Sequence, residues 1–246
     1  VSRPTLTLLH GWAMTPQAWA PLTAALGDAF TVNAPALPGH AGAAAVAPEL
    51  RAWADAIASQ LPDDGMLCAW SLGAMLALDI AVRHPRKVSR LVLIGATARF
   101  VSTADWPCAL PADTVDAFRK GYAEACSATL KRFLGLQLLG EPARRTLQAE
   151  LDAARQPHPD DAALPALVDG LELLANTDLR DHLAQVDQPC LLIQGRQDAL
   201  MPVEAALRCA AALPHGRCEI LESCGHAPLL SQPQRCAELI RAHAGV

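Results

Sequence analysis

Short apolar runs of strand length alternate along this chain with longer segments in which apolar residues recur every three or four positions. TLTLLH at 5–10 predicts a strand. PQAWAPLTAAL at 16–26 predicts a helix whose proline falls in the first turn, where no intrahelical N–H is required. FTVNAPAL at 30–37 predicts a strand running into the turn PGHAG, and PELRAWADAIASQL at 48–61 a helix with Leu50, Trp53, Ile57 and Leu61 on one stripe. GMLCAW at 65–70 predicts a strand, LGAMLALDIAVRH at 72–84 a nearly all-apolar helix stopped by Pro85, and RLVLIGA at 90–96 another strand. Towards the C-terminus come the strand PCLLIQG at 189–195, a helix over 203–213, the strand CEILE at 218–222 and a last helix over 232–243.

Strands apolar along nearly their whole length, alternating with helices, predict an α/β fold: a mostly parallel, twisted sheet with helices on both faces. The rhythm breaks at 105–180. PADTVDAFRKGYAEAC, SATLKRFLGLQLLG, EPARRTLQAELDAARQ and DAALPALVDGLELLA all carry helical periodicity and are separated by Pro, Gly and Asp. The expected organisation is therefore a core domain, 1–104 with 181–246, and a four-helix lid, 105–180, inserted between two strands and lying over one edge of the sheet.

Composition narrows this picture in a few places. Half of the 246 residues are apolar, enough for a sizeable core. A net charge of −5 argues against a polyanion-binding surface over the whole molecule, so no nucleic-acid partner is expected, although a local basic patch fits. No apolar run reaches the roughly 18 residues of a membrane span, and the opening VSRPTLTLLHG has neither a charged n-region nor a long apolar stretch, so no export signal is expected in it. The eight cysteines form no CxxC pair, and Cys68 and Cys190 sit inside apolar runs. Reduced, structural thiols in a cytoplasmic protein are expected, without zinc. Nothing dictates an oligomer, and a monomer is the default.

Candidate chemistry begins at CAWSLGAMLAL, 68–78. A strand, then Ser71, then a helix is the arrangement of a nucleophile elbow, which holds Oγ clear of the backbone and places the next N–H at a helix N-terminus. Gly73 supplies the small residue two positions on; two positions before, where a glycine is usual, stands Ala69. A plain N-cap serine is the competing reading. LLHGWAM at 8–14 puts His10-Gly11 after the first strand, either as a simple turn or as a loop giving a backbone N–H to an oxyanion hole; Trp12 and Leu72 N–H are the candidate pair. Asp198 follows the strand LLIQG and His226 follows CEILE. Ser, Asp, His is the chain order of α/β-hydrolase triads, and all three fall past the carboxyl ends of strands, where parallel sheets place their sites.

With HGW, PGHAG, WSLG, GRQD and GHAP in place, the chain resembles the α/β-hydrolase superfamily over nearly its whole length. More narrowly it resembles the pimeloyl-[acyl-carrier protein] methyl ester esterases of biotin synthesis, the BioH family. The resemblance rests on LLHGWAM, AWSLGAMLALDIAVRHPRKVSRLVLI, RFLGLQLLG, GLELLANTDLR and GHAPLLSQP, and departs at Ala69 and at Ala36, where many relatives have Asp. It implies a serine carboxylesterase with no metal or organic cofactor, cleaving a methyl ester at the far end of a pimeloyl chain carried by acyl carrier protein. In it Ser71, Asp198 and His226 are catalytic, Trp12 and Leu72 supply the oxyanion hole and contact substrate, and Arg132 and Arg144 match the family's carrier-facing arginines. Arg145 is a neighbouring candidate. Trp70 and Phe133 are candidates for the acyl pocket and equally for plain core. The lid cations Arg119, Lys120, Lys131, Arg132, Arg144, Arg145 and Arg155 read either as a carrier-binding rim or as ordinary helix solvation, with Glu141 and Arg145 spaced for an i,i+4 pair. A general short-chain esterase, a carbon–carbon bond hydrolase on small free substrates, and a non-catalytic hydrolase-fold binding protein remain alternatives.

Overall fold

The computed structural model describes residues 3–157 and 164–246. Six strands, β1 (Thr5–Leu9), β2 (Thr31–Asn33), β3 (Gly65–Trp70), β4 (Val88–Ile94), β5 (Cys190–Gly195) and β6 (Gly216–Leu221), form one sheet in the order β2-β1-β3-β4-β5-β6. Every neighbouring pair is parallel. Because both faces are covered, the strand period of two divides each central strand between two cores. Met66, Cys68 and Trp70 of β3 join Val92, Ile94, Leu191 and Ile193 on one face, and Leu67 and Ala69 join Leu91, Leu93 and Leu192 on the other.

Helices α1 (Ala20–Leu26), α9 (Pro228–Ser231) and α10 (Pro233–Ala244) cover the first face, and α2 (Leu50–Ala58), α3 (Leu72–Arg83) and α8 (Val203–Ala212) the second. The stripe expected on α2 is real: Trp53, Ile57 and Leu61 are buried, although Leu61 lies beyond the helix end. Two expectations are corrected. The segment 16–26 is a short 3-10 turn, Pro16–Trp19, running into α1. The strand expected over 30–37 covers only Thr31–Asn33 at the sheet edge. Pro35 and Pro38 cannot donate to a ladder, and the Leu37 N–H turns inward to His10 Nε2 at 3.0 Å.

Between the adjacent strands β4 and β5 the chain inserts α4 (Ala112–Glu124), α5 (Cys126–Gln137), α6 (Arg144–Ala154) and α7 (Pro165–Asn176). Residues 161–163 of the fourth segment expected from the sequence lie outside the described residues. The neck of the insertion is tied by charge: Arg99 pairs with Asp178, and Arg180 bonds both Asp178 (Nη2–Oδ2, 2.8 Å) and Asp105 (2.7 Å). Those guanidiniums hold the Asp178 carboxyl far below the usual carboxylate range. Within the insertion, Arg119 clamps Glu172 across α4 and α7, Nε to Oε1 at 2.9 Å.

All eight cysteines are free. Burial pushes the Cys209 and Cys236 thiols up to about 12, so neither is a ready thiolate.

Candidate active site

The geometry of the β3–α3 junction bears on the two readings of Ser71. Its backbone lies at φ 58°, ψ −119°, a region costly for a residue with a side chain, and its side chain caps nothing. An N-cap serine would have extended backbone and accept an amide bond from the helix; Ser71 does neither. The turn is held from outside, by the Ser71 N–H donating to Ile94 O on β4 at 3.0 Å. Gly73 makes the sharpness possible, because a Cβ there would stand 2.6 Å from the carbonyl oxygens of Leu9 and His10. Gly11 also lies close, its would-be Cβ 3.1 Å from Ser71 Cβ.

Asp198 and His226 meet past the ends of β5 and β6, with His226 Nδ1 and Asp198 Oδ2 2.8 Å apart and both side chains buried. The carboxylate is fixed by three more donors: Leu200 and Met201 N–H on Oδ1, at 2.9 and 2.8 Å, and Gln194 Nε2 on Oδ2 at 2.8 Å. An ionised carboxylate only accepts, so His226 donates from Nδ1 and keeps its Nε2 lone pair free. That Nε2 is buried with no hydrogen-bond partner among the described residues. Trp70, the residue before Ser71, donates from Nε1 to His226 O at 2.8 Å and lies beside the imidazole, ring centroids 5.7 Å apart. Gly95 at the end of β4, φ +53°, completes the seat; a Cβ there would be 3.0 Å from the imidazole. The serine and the imidazole thus share the ends of β3 and β4 as their floor.

The N–H groups of Trp12, on the loop packed against Ser71, and of Leu72, the residue after it, have no acceptor among the described residues. The loop carrying Trp12 is braced by His10, whose Nδ1 donates to Gly11 O at 2.9 Å while Nε2 accepts from Leu37. Helix α7 closes over it. Trp12 Nε1 donates to Leu167 O at 2.7 Å, and Gly170 leaves room for the indole, a Cβ there meeting Trp12 Cδ1 at 2.6 Å and Leu72 Cδ2 at 3.3 Å.

The residues expected on the insertion divide into two places. Phe133 packs edge-on against Trp12, centroids 4.9 Å apart, and lines an apolar slot with Phe118, Leu136, Leu171, Leu174 and Leu200; Arg132 stands at the rim of this slot. Arg144 lies elsewhere, in an open groove of about 450 Å³ between α5 and α6 lined by three cations, Lys131, Arg144 and Arg155, and one acid, Asp152. Arg145 is exposed and lines neither. Arg119 is committed to Glu172 and Asp116, so of the expected rim cations it is least free. Trp70 is placed behind His226 and does not line the slot. The expected Glu141–Arg145 pair is replaced: α6 begins only at Arg144, and Glu141, in the turn before it, instead accepts the Gly225 N–H at 2.7 Å.

Three contributors to this site were not anticipated. Gly95 has a weak signal, a glycine directly after an apolar strand. Gln194 has a better one, a polar residue inside PCLLIQG that must find buried partners. Glu141 has none, because its partner is 84 residues away. Among the described residues no group of three or more His, Cys, Asp or Glu could hold a metal ion, and no helix is long and apolar enough to cross a membrane.

A sequence-family profile described as "Alpha/beta hydrolase family" matches residues 8–239. The pimeloyl-[acyl-carrier protein] methyl ester esterase of Aromatoleum aromaticum is 49% identical over 245 residues, covering 98% of each chain. Its counterpart in Nitrosomonas europaea is 38% identical over 235 residues, covering 94% of this chain and 92% of its own. Among solved structures, an esterase from Exiguobacterium antarcticum superposes with a TM-score of 0.87 over 100% of this chain and 93% of that one, at 21% identity, which speaks for the fold alone. By profile and by full-length similarity, this chain belongs to the alpha/beta hydrolase family and, within it, to the pimeloyl-[acyl-carrier protein] methyl ester esterases.

Proposed function

We propose that the chain is a serine carboxylesterase that hydrolyses the methyl ester of pimeloyl-[acyl-carrier protein], releasing methanol and the free carboxylate for biotin synthesis. The observation that carries this reading is the buried His226–Asp198 pair, its Nε2 without a partner among the described residues and its imidazole packed against Trp70, the residue before an elbow serine whose side chain is spent on no cap.

In this reading Ser71 Oγ attacks the ester carbonyl while His226 Nε2 takes its proton and returns it to the departing methoxide, an alcohol being a competent nucleophile only with a base alongside. Asp198 holds the imidazole in the Nδ1–H tautomer and stabilises the imidazolium. The Trp12 and Leu72 N–H groups receive the charge that develops on the carbonyl oxygen; removing one such donor costs about 3–4 kcal/mol of barrier stabilisation. Water repeats the cycle on the acyl-enzyme. The helical insertion, 105–180, acts as the lid domain over the core formed by 1–104 and 181–246. Its Phe133 slot takes the acyl chain beside Trp12, Arg132 stands at the slot's mouth, and Lys131, Arg144 and Arg155 offer the acidic carrier a cationic seat. Holding the carrier at the rim keeps its thioester away from Ser71 while the distal ester reaches it. A monomer in the cytoplasm belongs to the same reading, and the free cysteines support that compartment.

The test is methanol release from pimeloyl-carrier methyl ester, compared with hydrolysis of a short p-nitrophenyl ester. Wild type should favour the carrier-bound ester and Ser71→Ala should lose both activities. Equal rates on the two esters would leave a general esterase, and failure of wild type to react with a fluorophosphonate would leave a binding protein.

A further inference from the structure

Two consecutive amides of the loop that presents His226 are held by the insertion, not by the sheet. The His226 N–H donates to Gln137 O at the end of α5, at 2.9 Å, and the Gly225 N–H donates to Glu141 Oε1 at 2.7 Å. The fit is close: a Cβ on Gly225 would stand 2.7 Å from Gln137 O and 3.0 Å from Leu139 O. On the other side the loop crosses Gly195, where a Cβ would meet Gly225 O at 2.0 Å. Residues 224–226 are therefore threaded between the end of β5 and the α5–α6 turn, with Trp70 Nε1 fixing the His226 carbonyl.

Glu141 is buried and, among the described residues, is the insertion side chain that accepts from this loop's backbone. Its turn directly continues into Arg144, which lines the cationic groove with Lys131 of α5 and donates from Nη2 to Gly135 O at 3.4 Å. From this continuity we infer that Glu141 is a positioning residue for the general base: the insertion sets the place of His226 through Glu141 as well as covering the substrate. The inference rests on the esterase reading. It makes the groove and the imidazole neighbours through one turn, so that whatever orders the α5–α6 turn also steadies His226. A displaced base loses rate through misalignment, and an error of about 1 Å costs on the order of a hundredfold.

The experiment measures turnover of a short p-nitrophenyl ester, which needs no carrier, per site titrated with a fluorophosphonate, together with melting temperature. Glu141→Ala should lower kcat about 10- to 100-fold with KM within about twofold. Glu141→Gln, which keeps an acceptor oxygen for the Gly225 N–H, should restore kcat to within about threefold of wild type. Glu141→Asp keeps the charge but withdraws the acceptor by one methylene, and serves if the alanine variant does not fold; its kcat should fall at least about fivefold. A lower melting temperature with wild-type kcat per titrated site in Glu141→Ala or Glu141→Asp, or equal damage by Gln and Ala, overturns the inference. If wild type neither labels nor turns over ester, the esterase reading fails and takes this inference with it; turnover unaltered by Glu141→Ala overturns the clasp alone.

Discussion

The carboxyl edge of the sheet and the helical insertion meet around the candidate site, and they position side chains by different means. At the edge, position is set by backbone. The elbow at Ser71, the close approach at Gly73 and the Asp198 carboxylate with four donors leave almost no freedom. On the insertion, position is set by which face of a helix a side chain occupies. Helix α5 turns Phe133 into an apolar slot, puts Arg132 at that slot's rim and Lys131 in an open cationic groove, three successive residues in different surroundings. On the proposed reading the edge carries the reaction and the insertion carries the choice of substrate. Damage to the first should then appear with every ester, and damage to the second only with the carrier-bound one.

The largest effect is expected at the edge. Asp198→Asn keeps the shape but replaces a carboxylate oxygen by an amide that can donate, which favours the wrong imidazole tautomer. It should lower kcat about 10⁴-fold on short and carrier-bound esters alike. A loss confined to one substrate would break the division between the two regions.

Next in size is reversal of the groove. Lys131→Glu with Arg144→Glu should lower kcat/KM for pimeloyl-carrier methyl ester about 100-fold, some 2.7 kcal/mol, because repulsion replaces attraction to an acidic partner. The short ester should change by less than about twofold. Loss of both activities would mean that the α5–α6 turn had been displaced, not that carrier docking had been lost.

These two regions were also unequally legible. The strands show in the sequence because a buried parallel sheet needs continuous apolar runs, and the expected site residues Ser71, Asp198 and His226 each stand just past such a run. The edge strand expected over 30–37 did not survive, since an apolar run containing Pro35 and Pro38 looks extended yet cannot sustain a ladder. On the insertion, helices were legible and their contacts were not. Glu141 reads as one half of an i,i+4 pair with Arg145 until the helix is seen to begin three residues later, and its true partner comes from the far end of the chain. Trp70 reads as pocket or core from its composition; only the fold shows its indole N–H on the His226 carbonyl. Arg132 and Arg144 look like one patch in sequence and stand in two surroundings in space.

A smaller effect separates stability from chemistry at the edge. Full burial and, after it, the neighbouring His40 hold His10 down to a pKa of about 3 against the Gly11 carbonyl, which pulls the other way, while Nε2 accepts the Leu37 N–H. Between that value and the ordinary unfolded value of about 6.5 the unfolded chain binds a proton that the folded chain refuses. Stability from this group is therefore complete above pH 6.5 and is lost as the pH falls towards 3, by up to about 1.4 kcal/mol per unit. Urea unfolding at pH 6.5, 5.5 and 4.5 should show a steeper decline for wild type than for His10→Asn, whose amide can accept the same N–H without titrating. Parallel lines for the two would show that His10 protonates freely in the fold.

The smallest effect tests the insertion at its sharpest. Arg145 follows Arg144 on α6, yet a step of one residue turns a helix by about 100°, so the neighbours face different surroundings. Arg144 lines the groove; Arg145 is exposed and lines neither cavity. An exposed cation outside the docking surface contributes only long-range attraction, which about 0.15 M salt screens beyond roughly 8 Å. Arg145→Ala should therefore change kcat/KM for the carrier-bound ester by less than about twofold, or 0.4 kcal/mol, while Arg144→Ala changes it severalfold at the same ionic strength. If the two alanine variants behave alike, the carrier senses the net charge of α6 and not the groove, and the insertion selects its substrate by field instead of by fit.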